Sequence, residues 1–430
     1  MSTVSSPSPI VLHSLKVRAP IIKPRILYVI PSLDIGGAEQ QLAAVAGHLT
    51  QKGWNVSVYS LRGKGCLTRE LEDNRVKALG PPVGRSKNAR LKLNSISRLA
   101  TTVFHLLFLL LKTKPHIVHF FLPAAYLVGG PLAIITGVPI RIMSRHSMNL
   151  YQRGRPLSRT AERILHRRMQ AVVAVSSSIL CELRDEESVK PDRLGVIYNG
   201  IELKNFINQR VQQTSTEIGL AANTFVMVIV ANLIPYKGHR DLLQAIAIAK
   251  PELPDDWRLL IVGRDEGIGD QLRDLAKQLA IEDRMMMLGQ RTDVLSILSC
   301  SHVGILCSHQ EGLSIAILEA MAMGLPLIVT DVGGSAEMVI DGENGLLVPP
   351  KNAQKLAEAI VRLARDPQLR QRLGQAGYRR VQERFTLETC VSQYEKLYMG
   401  LCESARRPVS EILAGPTCSS RRNRTAQRGI

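Results

Sequence analysis

Short apolar runs alternate with helical periodicities along most of the chain. Runs of strand length lie at 26–30, 54–60, 116–121, 140–144 and 171–175, with another just before 199. A second set follows at 225–231, 259–262, 285–288, 303–307 and 327–330. Such runs fit strands buried on both faces of a parallel sheet. Helical patterns fall between them: one starts at Gln40, one covers about 95–111, one follows the cap Ser176-Ser177-Ser178, and others fill 352–381. That alternation predicts an α/β protein. A polar stretch at about 204–223 separates the strand sets, so the chain reads as two domains, 25–203 and 204–384, the second beginning with a linker. A last helix occupies 385–404. Residues 1–24, rich in Ser and Pro, and 405–430, rich in Arg and Ser, are expected to be disordered extensions.

The most informative stretch runs from 303 to 350. After the apolar run, Ser308, His309, Gln310, Glu311 and Gly312 form a polar loop. Ser314 then precedes helical positions Ile315, Leu318, Met321 and Ala322, which stop at Gly324-Leu325-Pro326. The next strand leads to Val332-Gly333-Gly334 and a helix carrying Glu337. Glu311 sits in the loop and Glu319 about five residues into the helix, which places their side chains roughly 8–12 Å apart, too far for a close acid pair. Between them lies a helix N-terminus, whose free N–H groups and dipole suit a phosphate. A carboxylate, an anion cradle and a second carboxylate match in order the sugar hydroxyls, diphosphate and ribose diol of a nucleotide sugar.

The Glu-x7-Glu spacing inside EGLSIAILEAMAMGLPLIVTDVGG resembles the retaining nucleotide-sugar glycosyltransferases of GT-B fold, family 4 or group 1. The resemblance covers roughly 25–404. It implies two Rossmann-like domains facing a central cleft, with the donor in the second and the acceptor at the first. By that resemblance Glu311 contacts the donor sugar near its reacting carbon, Glu319 binds the ribose hydroxyls, and Gly312, Leu313, Ser314 and Ile315 hold the phosphates. Gly36 and Gly37, in the turn Gly36-Gly37-Ala38-Glu39, approach those phosphates from across the cleft. His146, after the strand at 140–144, takes a donor-sugar or catalytic contact, and Lys237 clamps the diphosphate. Asn232 stands where the family commonly has Arg, which removes a charge and a bidentate fork but keeps a hydrogen-bond donor. Arg291 is either a contact in the segment that reads the base or a surface arginine. The implied reaction transfers a glycosyl group from a nucleotide diphosphate sugar to an acceptor hydroxyl with retention of configuration. No Asp-x-Asp motif is present, and no metal or other cofactor is expected.

Charge changes the picture. The net +18 is concentrated in residues 1–200, which carry 28 Lys and Arg against 11 Asp and Glu. A basic half of this kind suits an anionic partner: a membrane surface, a lipid-linked phosphate or a nucleic acid. The basic runs carry no interleaved aromatics, so nucleic acid is not expected. A basic run at 85–92 precedes the helix at 95–111, whose apolar end is too short to span a bilayer, which needs about 20 residues. That helix is either a monotopic membrane contact or a core helix. Seven cysteines without a Cys-x-x-Cys pair argue against a zinc site or a disulfide framework. Together with a start that lacks a continuous apolar segment, they point to the cytoplasm, with a peripheral place on the membrane's inner face as an extension. The acceptor class that fits is a glycan or lipid-linked intermediate of cell-envelope polysaccharide, exopolysaccharide or glycolipid synthesis. Two other readings stay open: a GT-B sugar-nucleotide epimerase or hydrolase, and a non-enzymatic membrane or nucleic-acid binder.

Overall fold

The apolar runs assemble into two all-parallel sheets in a computed structural model that describes residues 23–82, 95–152, 154–206, 217–221 and 223–413. The first sheet holds β1 (Arg25–Ile30), β2 (Asn55–Ser60), β3 (Lys77–Leu79), β4 (Ile117–Phe121), β5 (Ile140–Arg145), β6 (Ala171–Ala174) and β7 (Leu194–Val196) in the order β3-β2-β1-β4-β5-β6-β7. The second holds β8 (Phe225–Val230), β9 (Trp257–Val262), β10 (Met285–Gly289), β11 (Val303–Leu306), β12 (Leu327–Thr330) and β13 (Leu346–Val348) in the order β10-β9-β8-β11-β12-β13. Both sheets reverse direction of winding beside their first strand, between β1 and β4 and between β8 and β11. Loops leaving the C-terminal strand ends at such a switch point part and leave a crevice. The fold therefore offers one binding crevice per sheet.

Several elements escape the pattern reading, and two show why. β3 has only three residues, and the helix Pro123–Ile135 contains Pro131 and two glycines that mask its periodicity. Its two glycines are buried, and Gly129 lies so close to Phe120 that a Cβ would come within 2.6 Å of the ring. The tail expected to be disordered from 405 instead continues into a short helix, Val409–Ile412, with Val409 and Leu413 buried. It seats on β7, where Gly195 leaves the space these apolar side chains fill. The extension at 1–22, the basic run at 85–92, most of the linker and the tail beyond 413 lie outside the described residues.

The chain passes from the first domain to the second near Ile201 and returns at the helix Leu387–Glu403. The two crossings bond to each other: Ile201 N donates to Phe385 O at 3.0 Å, and Leu387 N to Ile201 O at 2.9 Å. The returning helix is fastened under the first sheet. Its Tyr398 hydroxyl lies 2.8 Å from both the Tyr28 hydroxyl and His119 Nδ1, all buried, and Glu395 accepts from Trp54 Nε1 at 2.7 Å. Tyr398→Phe leaves two buried polar groups without this partner, an expected loss of roughly 1–3 kcal/mol. Urea unfolding measures it, and a loss too small to resolve would show that the network adds nothing.

Candidate active site

Loops from eight strand ends enclose one cavity of ≈ 370 Å³ between the domains. Gly36, Gly37, His146, Asn232, Lys237, Arg291, Glu311, Leu313, Ser314, Ile315 and Glu319 all line it. Gly312 does not; it is buried beneath, pressed so close to the first domain that a Cβ would stand 2.3 Å from His146 O. Only glycine permits that approach.

The second domain supplies most of the polar groups. β8 ends in a turn that delivers Lys237, whose Nζ lies 2.7 Å from Glu311 Oε2, both groups largely buried. The loop carrying Glu311 is tied to that turn, since His309 N donates to Tyr236 O at 2.7 Å and His309 Nε2 lies 2.7 Å from Asp241 Oδ2. After the loop, the helix Ile315–Ala322 starts at Ser314, whose side chain makes no cap bond. The first-turn amides there have no side-chain partner of their own, and the positive end of the helix faces the cavity. Glu319 follows on the same helix. Burial pushes its carboxyl up to about 7.

Asn232 and Arg291 are both engaged. Asn232 Oδ1 accepts from Arg264 N at 3.1 Å, so the side chain braces the turn after β9 and has only its amide donors left for a ligand. The fork of Arg291 bonds both oxygens of Asp293, at 2.8 and 2.7 Å.

Across the cleft, Gly37 opens the helix Gly37–Gln51, close enough to Ile315 that a Cβ would make ordinary contact at 3.5 Å. The constraint on Gly36 comes from within its own turn. The Glu39 carboxylate folds over it, 2.4 Å from where a Cβ would stand, and burial raises the pKa of that carboxyl. His146 stacks on Phe121 at 5.0 Å between ring centres. Both its ring nitrogens are buried with no hydrogen-bond partner, and desolvation lowers its pKa to about 4, so the ring is neutral near pH 7.

Three features have no clear sequence signal. Asn199 Nδ2 donates to Leu313 O at 3.3 Å and so joins the first domain to the loop before the helix. Leu122 ends β4 at φ 69° and ψ 151° while lining the cavity, a strained conformation costing roughly 1–3 kcal/mol. Beside His146, Arg145 is fully buried, and its Nη2 donates to Glu162 at 2.7 Å and Glu187 at 2.8 Å. His166 Nε2 lies 2.8 Å from the same Glu187 oxygen and His166 Nδ1 3.1 Å from the Tyr126 hydroxyl. Glu162, His166 and Glu187 have the spacing of a metal site, but the Arg145 guanidinium sits between the carboxylates. A buried network of this kind fixes geometry more than it adds stability.

Comparison with known proteins agrees with this layout. Residues 35–205 match the model "Glycosyltransferase Family 4", and residues 211–380 match "Glycosyl transferases group 1". The chain belongs to the family 4, group 1 glycosyltransferases. This glycosyltransferase is 33% identical over 228 residues to N-acetyl-alpha-D-glucosaminyl L-malate synthase of Bacillus anthracis, a match that spans 53% of the chain and 58% of the relative. It is 28% identical over 270 residues to UDP-Gal:alpha-D-GlcNAc-diphosphoundecaprenol alpha-1,3-galactosyltransferase of Escherichia coli, covering 60% of the chain and 68% of that protein. Its fold resembles that of Anabaena HepE, solved with UDP and glucose, at a TM-score of 0.77 and 22% identity over 88% of the chain and all of HepE. The two-domain GT-B architecture follows.

The burial of Glu319 has a measurable consequence for the glycosyltransferase. Its carboxyl is raised from an ordinary 4.5 to about 7, so between those values the folded state holds a proton that the unfolded state has lost. Stability therefore declines as pH rises through this window, and the loss is complete above it. In Glu319→Gln this contribution is absent. Urea unfolding should show the variant gaining on the parent from about pH 5 to about pH 8; a difference that does not vary with pH would mean that Glu319 titrates normally.

Proposed function

We propose that the cavity binds a nucleotide diphosphate sugar and that its glycosyl group passes to an acceptor hydroxyl with retention of configuration. The supporting observation is that one cavity gathers Lys237, Glu311, the uncapped N-terminus at Ile315 and Glu319. In this reading the diphosphate lies between Lys237 and the helix N-terminus, the ribose diol at Glu319 and the sugar at Glu311 and His146. Arrival of the diphosphate divides Lys237 between two anions and frees Glu311 to accept from sugar hydroxyls. The bond that breaks joins the anomeric carbon to the diphosphate. The bond that forms joins that carbon to the acceptor oxygen, whose proton leaves with the diphosphate. Charge developing on the leaving group meets preorganised donors, a large catalytic effect in a site that excludes water. Retention rests on the family resemblance, and the reading involves no metal or other cofactor. The UDP-sugar named for the Escherichia coli relative makes a UDP-sugar the first donor to try.

A thermal-shift screen of UDP-, GDP- and ADP-sugars, followed by nucleotide release, tests this. Lys237→Ala and Glu311→Ala should each lower turnover about 10²–10³-fold with the fold intact by circular dichroism. Near-normal turnover in both would sink the assignment. Absence of any thermal shift would favour a binding protein, and nucleotide release without a transfer product would favour the epimerase or hydrolase reading.

The acceptor in this reading is lipid-linked or a growing cell-envelope glycan, met at the cytoplasmic face of an anionic membrane. Among the described residues no helix is long and apolar enough to cross a bilayer. The helix Ser95–Thr113 is instead two-faced: Leu106 and Leu110 are buried, while Phe104, Phe108 and Leu111 form an exposed stripe. On neighbouring helices Ile135, Leu157 and Ile164 are exposed too, with Arg98 and Lys112 on Ser95–Thr113 and Arg155 and Arg167 flanking the helix Pro156–His166. Apolar side chains flanked by cations suit the boundary between headgroups and acyl chains. The protein should co-sediment with phosphatidylglycerol vesicles, less so at high salt, and the Phe104→Ser/Phe108→Ser double variant should bind several-fold more weakly. Equal binding by the variant, or none by the parent, would remove the membrane from the scheme.

A further inference from the structure

Glu337 lies outside the cavity, yet its carboxylate reaches the other domain. It sits on the short helix Ser335–Met338, directly after Gly333 and Gly334. Facing it is the start of the first-domain helix Ser177–Asp185. The helix's own cap, Ser176, uses its hydroxyl to accept from Ile179 N at 3.3 Å. The two remaining first-turn amides, Ser177 N and Ser178 N, donate to Glu337 Oε2 and Oε1 at 2.9 and 3.0 Å. The Tyr198 hydroxyl also donates to Oε2, at 2.8 Å, and the Ser178 hydroxyl to Gly333 O at 2.9 Å. The helix cap is thus split between domains. A carboxylate placed on two orphan amides at the positive end of a helix is a favourable, charge-assisted arrangement.

What this contact holds follows from the residues on either side of it. Arg380 grips the backbone of Glu337 and Met338, with Nη2 2.8 Å from Glu337 O and Nε 2.8 Å from Met338 O. Gly333, at φ 50°, and Gly334 press on the donor-side loop: added Cβ atoms would stand 1.8 Å from Glu311 O and 2.1 Å from Gly312 O. Gly334 N also donates to Glu311 O at 3.3 Å. Gly312 in turn abuts His146 O. A rigid path therefore runs from the first-domain helix through Glu337 and the glycine pair to Glu311, and back to His146.

We propose that Glu337 is a positioning residue, a carboxylate that caps a helix of the first domain and thereby sets the Glu311–Gly312 loop of the second domain opposite His146. Its effect on turnover rests on the reading of the cavity given above; the cap itself does not. In Glu337→Ala, amide exchange at Ser177 and Ser178, read residue by residue, should quicken at least about tenfold, the equivalent of one lost charge-assisted hydrogen bond. Exchange at Ile179, capped by Ser176, should change less, and solution scattering should show a wider spread of interdomain distances. Tyr198→Phe removes one cross-domain bond, together with a longer contact of 3.4 Å to the Ser177 hydroxyl, and should move the same readouts in the same direction, by less. Glu337→Gln, which keeps an acceptor oxygen, should fall between Glu337→Ala and the parent. With a UDP-sugar that the parent turns over, kcat should fall at least about tenfold in Glu337→Ala, again one such bond, and recover in part in Glu337→Gln. Unchanged exchange and scattering in both Glu337→Ala and Tyr198→Phe would overturn the cap. Faster exchange with undiminished kcat would overturn the positioning role. If the parent turns over no nucleotide sugar, the reading of the cavity fails, and exchange and scattering still decide the cap.

Discussion

The ion pair between Lys237 and Glu311 is the contact around which the cleft is built. Each group is largely buried and would be costly to leave alone. The turn after β8 and the loop after β11 must therefore stay in register, and that register fixes where the helix at Ile315 begins. His309 strengthens it by bonding through its backbone to Tyr236 in that turn and through its ring to Asp241 on the helix that follows. A cation held by one carboxylate beside an uncapped helix N-terminus is a site ready to exchange its anion. The charge on Lys237 is already paired within the protein.

The first domain contributes through backbone closeness more than through charge. Gly312 stands where the first domain's His146 carbonyl oxygen leaves no room for a Cβ, and within the second domain Gly333 and Gly334 press as closely on the Glu311 and Gly312 carbonyls. These contacts admit little sliding, because any side chain would have to displace backbone. Beneath them the helix Leu387–Glu403, anchored by Tyr394, Tyr398 and Glu395, ties the return crossing to the first sheet. The domains are thus joined at the cleft floor by close-packed backbone and at the hinge by paired crossings. Polar side chains from both sides are left to face the cavity between.

Much of this is legible in the sequence, for a physical reason. Strands buried on both faces must be apolar throughout, so β1, β4, β8, β9 and β12 announce themselves as runs. Loops at strand ends carry Gly36 after β1, His146 after β5, Lys237 after β8 and Glu311 after β11, and β1, β8 and β11 flank the switch points. What escapes is whatever depends on partners distant in sequence. Asn232 reads as a weakened clamp, but its oxygen is already committed to the backbone of Arg264, 32 residues away. Arg291 is a different case: it reads as either a base-segment contact or a surface arginine, and its fork is filled by Asp293, only two residues on. Glu337 is visible as a residue on a helix, and nothing local says that it caps another domain. β3 and the helix Pro123–Ile135 are missed because one is too short for a period and the other is interrupted by proline and glycine.

The two glutamates of the Glu-x7-Glu spacing show why residue type alone does not assign a role. They lie on one loop–helix unit, Glu311 in the loop and Glu319 on the helix, and line the same cavity, yet their surroundings differ. Glu311 has an ammonium at 2.7 Å; Glu319 has burial and no charged partner among the described residues, and its carboxyl is displaced to about 7. A carboxylate tied to a cation is a poor general base, because accepting a proton forfeits the ion pair. A carboxyl titrating near neutrality can instead donate or accept a hydrogen bond according to what it meets, which suits a diol. His146 completes the contrast as a neutral ring with both nitrogens unpaired. In the proposed donor pose Glu319 meets the ribose rather than the reacting carbon, Glu311 is paired with Lys237 and His146 is a weak base, so what these side chains offer at the reacting centre is stabilisation of a departing anion more than proton abstraction.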